Sequence, residues 1–160
     1  MSNKELIERI IYSEAKVDGR KMRTGGLSDN EINKIIETKG TLGHLDIDVV
    51  GDCQTWHQIE SRICNLNRQK GTSLFVIDYA SLVKYVGTVR QRNYQIAEIS
   101  SASKQLAKRL NIVIVWLAQL NRNQQVWERP NASSLADSSA LINDADMVIM
   151  GYKPKAKPKE

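Results

Sequence analysis

Apolar residues recur along this chain in two rhythms, and the switching between them predicts the fold. Leu6, Ile7, Ile10 and Ile11 fall at helical spacing and put one apolar stripe on an opening helix that starts abruptly at Met1 and runs to about Lys16. Ser28 and Glu31 have the spacing of a capping box ahead of Ile32, Ile35 and Ile36, and Gly40 stands where a terminal glycine would end that helix. Leu45, Ile47 and Val49 alternate, which predicts a short strand. Thr55 and Gln58 form a second capping box, for a helix that carries Ile59, Ile63 and Leu66 and is closed by Gly71.

The second half of the chain is more apolar in its strands. Leu74-Phe75-Val76-Ile77 runs without a polar break into Asp78, and a polar loop from Lys84 to Asn93 follows. A helix from about Tyr94 to Leu110, with Ile96, Ile99, Leu106 and Leu110 on one side, feeds a strand from Ile112 to Leu117. Another polar loop spans Asn121 to Ser134, a short helical turn lies near Leu135 to Asn143, and Met147 to Met150 reads as a last strand. Continuously apolar strands separated by amphipathic helices predict an α/β fold, a parallel sheet with helices on both faces. In such sheets ligands gather at the carboxyl ends of the strands. Asp78 and Gln119 fall at such ends, and the two arginine-bearing loops start from the same edge.

Composition narrows the picture without changing it. A chain of 160 residues with 41% hydrophobic residues suits one domain with one core, expected over residues 1–152. The longest apolar stretch, Ile112 to Ala118, is too short to cross a bilayer, and charged residues occupy the N-terminal positions where a signal peptide needs an apolar core. The expectation is a cytoplasmic protein. Cys53 and Cys64 form no C-x-x-C pair and have only His44 and His57 as other soft ligands, so they read as reduced structural cysteines rather than a zinc site. Four lysines and one glutamate in residues 153–160 account for +3 of the net charge of +5. That segment alternates lysine with proline or alanine, which predicts a basic disordered tail on a mildly basic body.

Two side chains carry candidate chemistry. Asp78 at a strand end has the form of a Walker B carboxylate, which holds Mg²⁺ because a hard cation wants oxygen ligands beside phosphate; an aspartate there also serves as a cap for a neighbouring helix or loop. Gln119 has an amide able to hydrogen-bond a γ-phosphate or an attacking water, and a glutamine there also satisfies strand-end backbone groups.

Asp78-Tyr79-Ala80-Ser81-Leu82, Gln119-Leu120-Asn121-Arg122 and Asp144-Ala145-Asp146 together resemble the C-terminal motor domain of DnaB-type replicative helicases, hexameric RecA-fold ATPases. Leu6-Ile7-Glu8-Arg9 and Ser13 to Asp18 are similar to the segment after that family's E-M-S motif, so the resemblance runs from Met1 to about Tyr152. It implies a partial RecA-like P-loop NTPase core and a role within an ATP-dependent DNA-unwinding machine of replication. ATP and Mg²⁺ are the implied cofactors, with Asp78 at the metal, Asp78, Tyr79 and Gln119 near the nucleotide, and Gln119 as the catalytic sensor. Single-stranded DNA is the implied partner, contacted through Arg90, Arg92, Arg122, Asp137 and Ser139. The other implied partner is a homo-hexameric ring or a complementary helicase fragment.

The chain also departs from the family pattern. In Leu135 to Asp146, similar to a stretch that touches DNA backbone, Ala136 stands for an arginine, Ser139 for a glycine, Ile142 for a glutamate and Asn143 for a glutamine. An arginine supplies a phosphate contact and a glycine allows close backbone approach, so DNA binding through this stretch is expected to be weakened. No G-x-x-x-x-G-K-[ST] occurs in the 160 residues. The family's catalytic glutamate would precede Met1, and the segment with its arginine finger would follow the last residue. The 160 residues by themselves are therefore expected neither to retain ATP and Mg²⁺ nor to hydrolyse ATP without a P-loop-bearing partner. The alternative is a non-catalytic remnant or interaction protein that binds helicase subunits or DNA; a recombinase-like RecA relative fits the same motifs less well.

Overall fold

The computed structural model describes residues 2–89, 91–120, 129–131, 134–135 and 139–152, with residue 139 described in its backbone only. Residues group into two compact units, 1–52 and 53–160.

The first unit holds three helices: α1 (Asn3–Glu14), α2 (Gly19–Thr24) and α3 (Asp29–Gly43). Their starts follow from side-chain caps that satisfy otherwise orphaned backbone N–H groups. Ser2 and Glu5 form a complete capping box on α1, and Asp18 accepts from the N–H of Arg20 at the start of α2. The predicted Ser28–Glu31 box is present on α3. The predicted stop at Gly40 is not: α3 runs on through it to Gly43, with His44 as its cap. A single glycine inside a helix costs only about 1 kcal/mol relative to alanine, which neighbouring turns absorb. Nor do Leu45 to Val49 form a strand. Alternation makes a segment able to be a strand, but ladder hydrogen bonds need a neighbour, and this unit contains no strand among its described residues.

Glu31 ties α2 to the start of α3. It accepts from the Ser28 N–H and Oγ, both at 2.9 Å, and from Lys21 Nζ at 2.7 Å. The Lys21 ammonium, followed by the Ser28 donors, holds its pKa at about 2, against an ordinary value of 4.5. A depressed folded-state value means that the stabilisation is complete above 4.5 and is lost as pH falls from there towards 2. Acidification through that window is expected to fray the start of α3. In helicity followed by circular dichroism, Glu31→Gln should remove this part of the acid transition, and an unchanged transition would deny Glu31 the role.

The second unit is built on α4 (Trp56–Lys70), β1 (Leu74–Ile77), α5 (Arg92–Leu110), β2 (Val113–Trp116) and α6 (Ser139–Asp144), with a 3-10 turn at Ala80–Leu82. The predicted Thr55–Gln58 box opens α4, and Gly71 closes it at φ 69°, in the left-handed region where glycine carries no Cβ penalty. Asn111 closes α5 in the same region at φ 52°. The strands pair in parallel, Leu74 with Val113 through Ile77 with Trp116. Parallel neighbours need a crossover, and α5 provides it.

The core lies between α4, α5 and one face of this sheet. Trp56 and Ile63 of α4, Ile99 and Leu106 of α5, and Val83 and Ile112 are buried, and Phe75, Ile77, Ile114 and Trp116 pack against them from the strands. The Trp56 and Trp116 rings are tilted by 33° with centroids 5.9 Å apart. Helices cover this face alone among the described residues. The other face, Leu74, Val76, Val113 and Val115, is exposed. Met147 to Met150, predicted as a strand, forms no ladder, again a strand sequence with no partner among the described residues. The predicted tail, residues 153–160, lies outside the described residues.

Candidate nucleotide and DNA site

Because β1 and β2 run parallel with Ile77 opposite Trp116, Asp78 and Gln119 leave the sheet at the same edge. The chain is held there by the Leu117 N–H donating to the Ile77 carbonyl at 3.0 Å and the Ala80 N–H donating to the Leu117 carbonyl at 2.9 Å. Asp78 and Gln119 are exposed, and the Asp78 carboxylate makes no hydrogen bond or ion pair among the described residues. Among the described residues nothing engages either of its oxygens. Tyr79 is half-buried and caps the 3-10 turn, its carbonyl accepting from the Leu82 N–H at 3.0 Å. The Asp78–Tyr79 peptide bond is cis.

Arg92 is half-buried and bonded to the protein's own backbone. Its Nη2 lies within hydrogen-bond distance of the carbonyls of Ala80, Ser81 and Val83, at 3.3, 3.1 and 3.0 Å, and its Nη1 donates to Gln95 Oε1. One guanidinium therefore braces the turn after Asp78 against the first turn of α5. Expected as a DNA contact, it turns Nη2 to backbone carbonyls. Arg92→Ala should cost about 1–3 kcal/mol of stability by leaving those carbonyls unpaired, read in urea denaturation. Unchanged stability with weakened single-stranded DNA binding, and a salt slope reduced by about 1, would instead make Arg92 a phosphate contact.

The remaining predicted DNA residues are less fully placed. Arg90, Arg122 and Asp137 lie outside the described residues, and Ser139 opens α6. What the structure does give is the anchor of this region: Leu120 and Leu135 form an isolated antiparallel bridge. The stretch from Leu135 to Asp146 thus begins beside the residue that follows Gln119.

Several positioning residues escaped the sequence reading. Ser100 on α5 donates to Asp144 and Lys104 pairs with Asp146, fixing both ends of the Asp144-Ala145-Asp146 motif to one helix. The Lys104 ammonium holds the Asp146 carboxyl below the ordinary aspartate range. Trp116 Nε1 donates to Ser103 Oγ at 3.2 Å, and Ser103 donates to the Ser100 carbonyl at 2.8 Å. Serines on the buried side of an otherwise apolar helix stripe are the signal available in sequence, since a buried hydroxyl needs a partner.

As a metal site, Asp78 is one carboxylate, and no group of three His, Cys, Asp or Glu side chains among the described residues stands ready to hold an ion. A lone open carboxylate fits Mg²⁺ held largely by phosphate oxygens and water, not an all-protein cage.

The profile of the family described as "DnaB-like helicase C terminal domain" matches residues 1–160, the whole chain. The chain belongs to the DnaB-like helicase C-terminal domain family. Its relatives include proteins named "Replicative DNA helicase DnaB" from Buchnera aphidicola, 35% identical over 158 residues, and from Pasteurella multocida, 33% identical over 159 residues; each alignment covers 96% of this chain and 34% of the relative. Two solved structures superpose with a TM-score of 0.81 at 27% identity over 91% of the chain: a DnaB-like replicative helicase described with its interactions with primase, of which the chain covers 36%, and the "ATPase Domain of G40P", of which it covers 54%. This DnaB-like chain thus spans about a third of the length of the curated relatives cited.

Proposed function

We propose that the chain is the part of an ATP-dependent replicative DNA helicase that carries the Walker B carboxylate and the glutamine sensor. The observation that supports this most directly is the parallel pairing of β1 and β2, which brings Asp78 and Gln119 to one sheet edge in a chain that matches the family from end to end. Asp78 would hold Mg²⁺ on the nucleotide through its two free oxygens. When bound, the ion neutralises charge that builds on the phosphates. Gln119 would donate its amide towards the γ-phosphate. A shift at Gln119 reaches Leu120 next, and through the Leu120–Leu135 bridge it reaches the stretch proposed to lie along single-stranded DNA. The phosphate cradle must come from polypeptide that carries a P-loop, continuous with this chain or separate from it, because these 160 residues contain no such motif.

The test is Gln119→Ala, measured with the P-loop-bearing segment present. Nucleotide affinity should fall by no more than about tenfold, because one neutral hydrogen bond contributes only about 0.5–1.5 kcal/mol, while single-stranded DNA should no longer stimulate hydrolysis. Full DNA stimulation in the variant would count against the sensor role. The second reading, a non-catalytic subunit or interaction protein, draws its support from Ala136 and Ser139, which replace the arginine and glycine of the DNA-contacting stretch. It predicts association without DNA-stimulated turnover.

A further inference from the structure

A helix packed against a sheet ordinarily turns an apolar stripe inward. The stripe of α5 is broken twice: beside Ile96, Ile99 and Leu106, Ser100 is only 2% and Ser103 only 6% exposed. Moving a hydroxyl from water into such a place is unfavourable unless it is hydrogen-bonded. Each serine has a partner outside α5. Trp116 Nε1, at the end of β2, donates to Ser103 Oγ. Ser100 Oγ donates to Asp144 Oδ2, with the Ala140 carbonyl of α6 also in reach at 3.3 Å. Ser103 Oγ in turn donates to the Ser100 carbonyl, which joins the two links inside the helix. Trp116, Ser103, Ser100 and Asp144 thus form one chain of contacts from β2 across α5 to α6.

That chain ends at two places the site uses. Trp116 stands opposite Ile77 in the sheet, three residues before Gln119. Asp144 closes α6, at the other end of the Leu135 to Asp146 stretch from the Leu120–Leu135 bridge. The stretch is therefore tied to β2 twice, once along the backbone through Gln119 to Leu120 and once through the side chains on α5. One tie would let a helix of six residues pivot; two make it follow the strand. We propose that Trp116, Ser103 and Ser100 are positioning residues that carry the setting of β2 to Asp144, so that the strand leading to the glutamine sensor sets both ends of the DNA-facing stretch. This rests on the helicase reading above and adds to it a second route that does not pass through Gln119.

Coupling is shown by altering one end and reading the other. The experiment is amide hydrogen exchange of the full 160-residue chain carrying Trp116→Phe, which deletes the indole N–H and keeps an aromatic ring, or Ser103→Ala, which deletes its acceptor and leaves Trp116 whole. Among the described residues neither side chain hydrogen-bonds to α6. Each variant should nevertheless speed exchange of the α6 amides, and of the Ala145 amide that donates to the Leu141 carbonyl, by about two- to tenfold, the worth of one intramolecular hydrogen bond. The acceleration should exceed any change at Ile63 and Leu66 of α4. Because both substitutions break the same link, the double variant should exchange no faster than the more affected single one. Ser100→Ala, which cuts the last link, should speed α6 at least as much. Exchange of α6 that keeps its original rate in Trp116→Phe and Ser103→Ala, that rises only as far as α4 does, or that adds in the double variant would overturn the proposal and leave the helicase reading intact. In the chain combined with the P-loop-bearing segment, a non-hydrolysable ATP analogue should change single-stranded DNA affinity, read as anisotropy of a labelled oligonucleotide. Trp116→Phe and Ser103→Ala should shrink that change by a similar factor. A change of full size in both variants would overturn the proposal alone, and no analogue effect in the unaltered chain would overturn the helicase reading on which it rests.

Discussion

Asp78→Asn is expected to lower ATP turnover, measured with the P-loop-bearing segment present, by about a hundred- to a thousandfold. The substitution keeps shape and hydrogen-bonding capacity but removes the negative charge and one good cation ligand. Asp78 is exposed and makes no hydrogen bond or ion pair among the described residues, so its charge is not spent on holding the strand end together. Stability should therefore change by no more than about 0.5 kcal/mol. The combination is diagnostic: a large loss of turnover with an unchanged urea midpoint places Asp78 at the metal. A comparable loss of stability would make it a cap of the adjoining turn.

Leu106→Ala carries the largest expected effect on folding, about 2–5 kcal/mol. Leu106 is 1% exposed about one turn from the end of α5 and belongs to the cluster that joins α4, α5 and the sheet. Truncation removes the transfer free energy of the lost methyl groups and opens a cavity that close-packed neighbours fill only in part. Domains of this size are stable by only about 5–15 kcal/mol, so the variant should be visibly destabilised at room temperature. Urea denaturation followed by the fluorescence of Trp56 and Trp116, which pack together beside this cluster, reads it directly. Leu106→Met, nearly volume-conserving, should cost less than about 1.5 kcal/mol. Equal losses in the two variants would place the weight of Leu106 elsewhere than in packing.

The parts of the fold legible in the sequence are those whose determinants are local. Capping boxes at Ser28–Glu31 and Thr55–Gln58, the closing Gly71 and the apolar stripes of α4 and α5 are each specified within a few residues, and each is present. The parts that differ depend on partners remote in sequence. Leu45 to Val49 and Met147 to Met150 have strand alternation or apolarity yet form no ladder, because pairing belongs to two segments and neither has its second among the described residues. Gly40 misleads for another reason: its conformational freedom permits a helix end without compelling one. The shared edge at which Asp78 and Gln119 leave the sheet was legible, because a run of apolar residues ending in a polar one marks a strand end, and two such runs joined by a helix imply a common edge. The bonding of Arg92 was not. A lone arginine in a polar loop looks alike whether its donors meet phosphate or carbonyls, and only geometry tells Ala80, Ser81 and Val83 apart from DNA.

The most direct measurement is ATP hydrolysis by the 160-residue chain, alone and combined with the P-loop-bearing segment, each with and without single-stranded DNA. Turnover at the level of buffer for the chain alone is expected, since it has no phosphate-cradling motif within it. Turnover that appears on combination, rises with single-stranded DNA and vanishes in Asp78→Asn is the result predicted for a chain that completes a DnaB-like motor. Stable association that yields no hydrolysis under any of these conditions, or hydrolysis indifferent to Asp78, would contradict it.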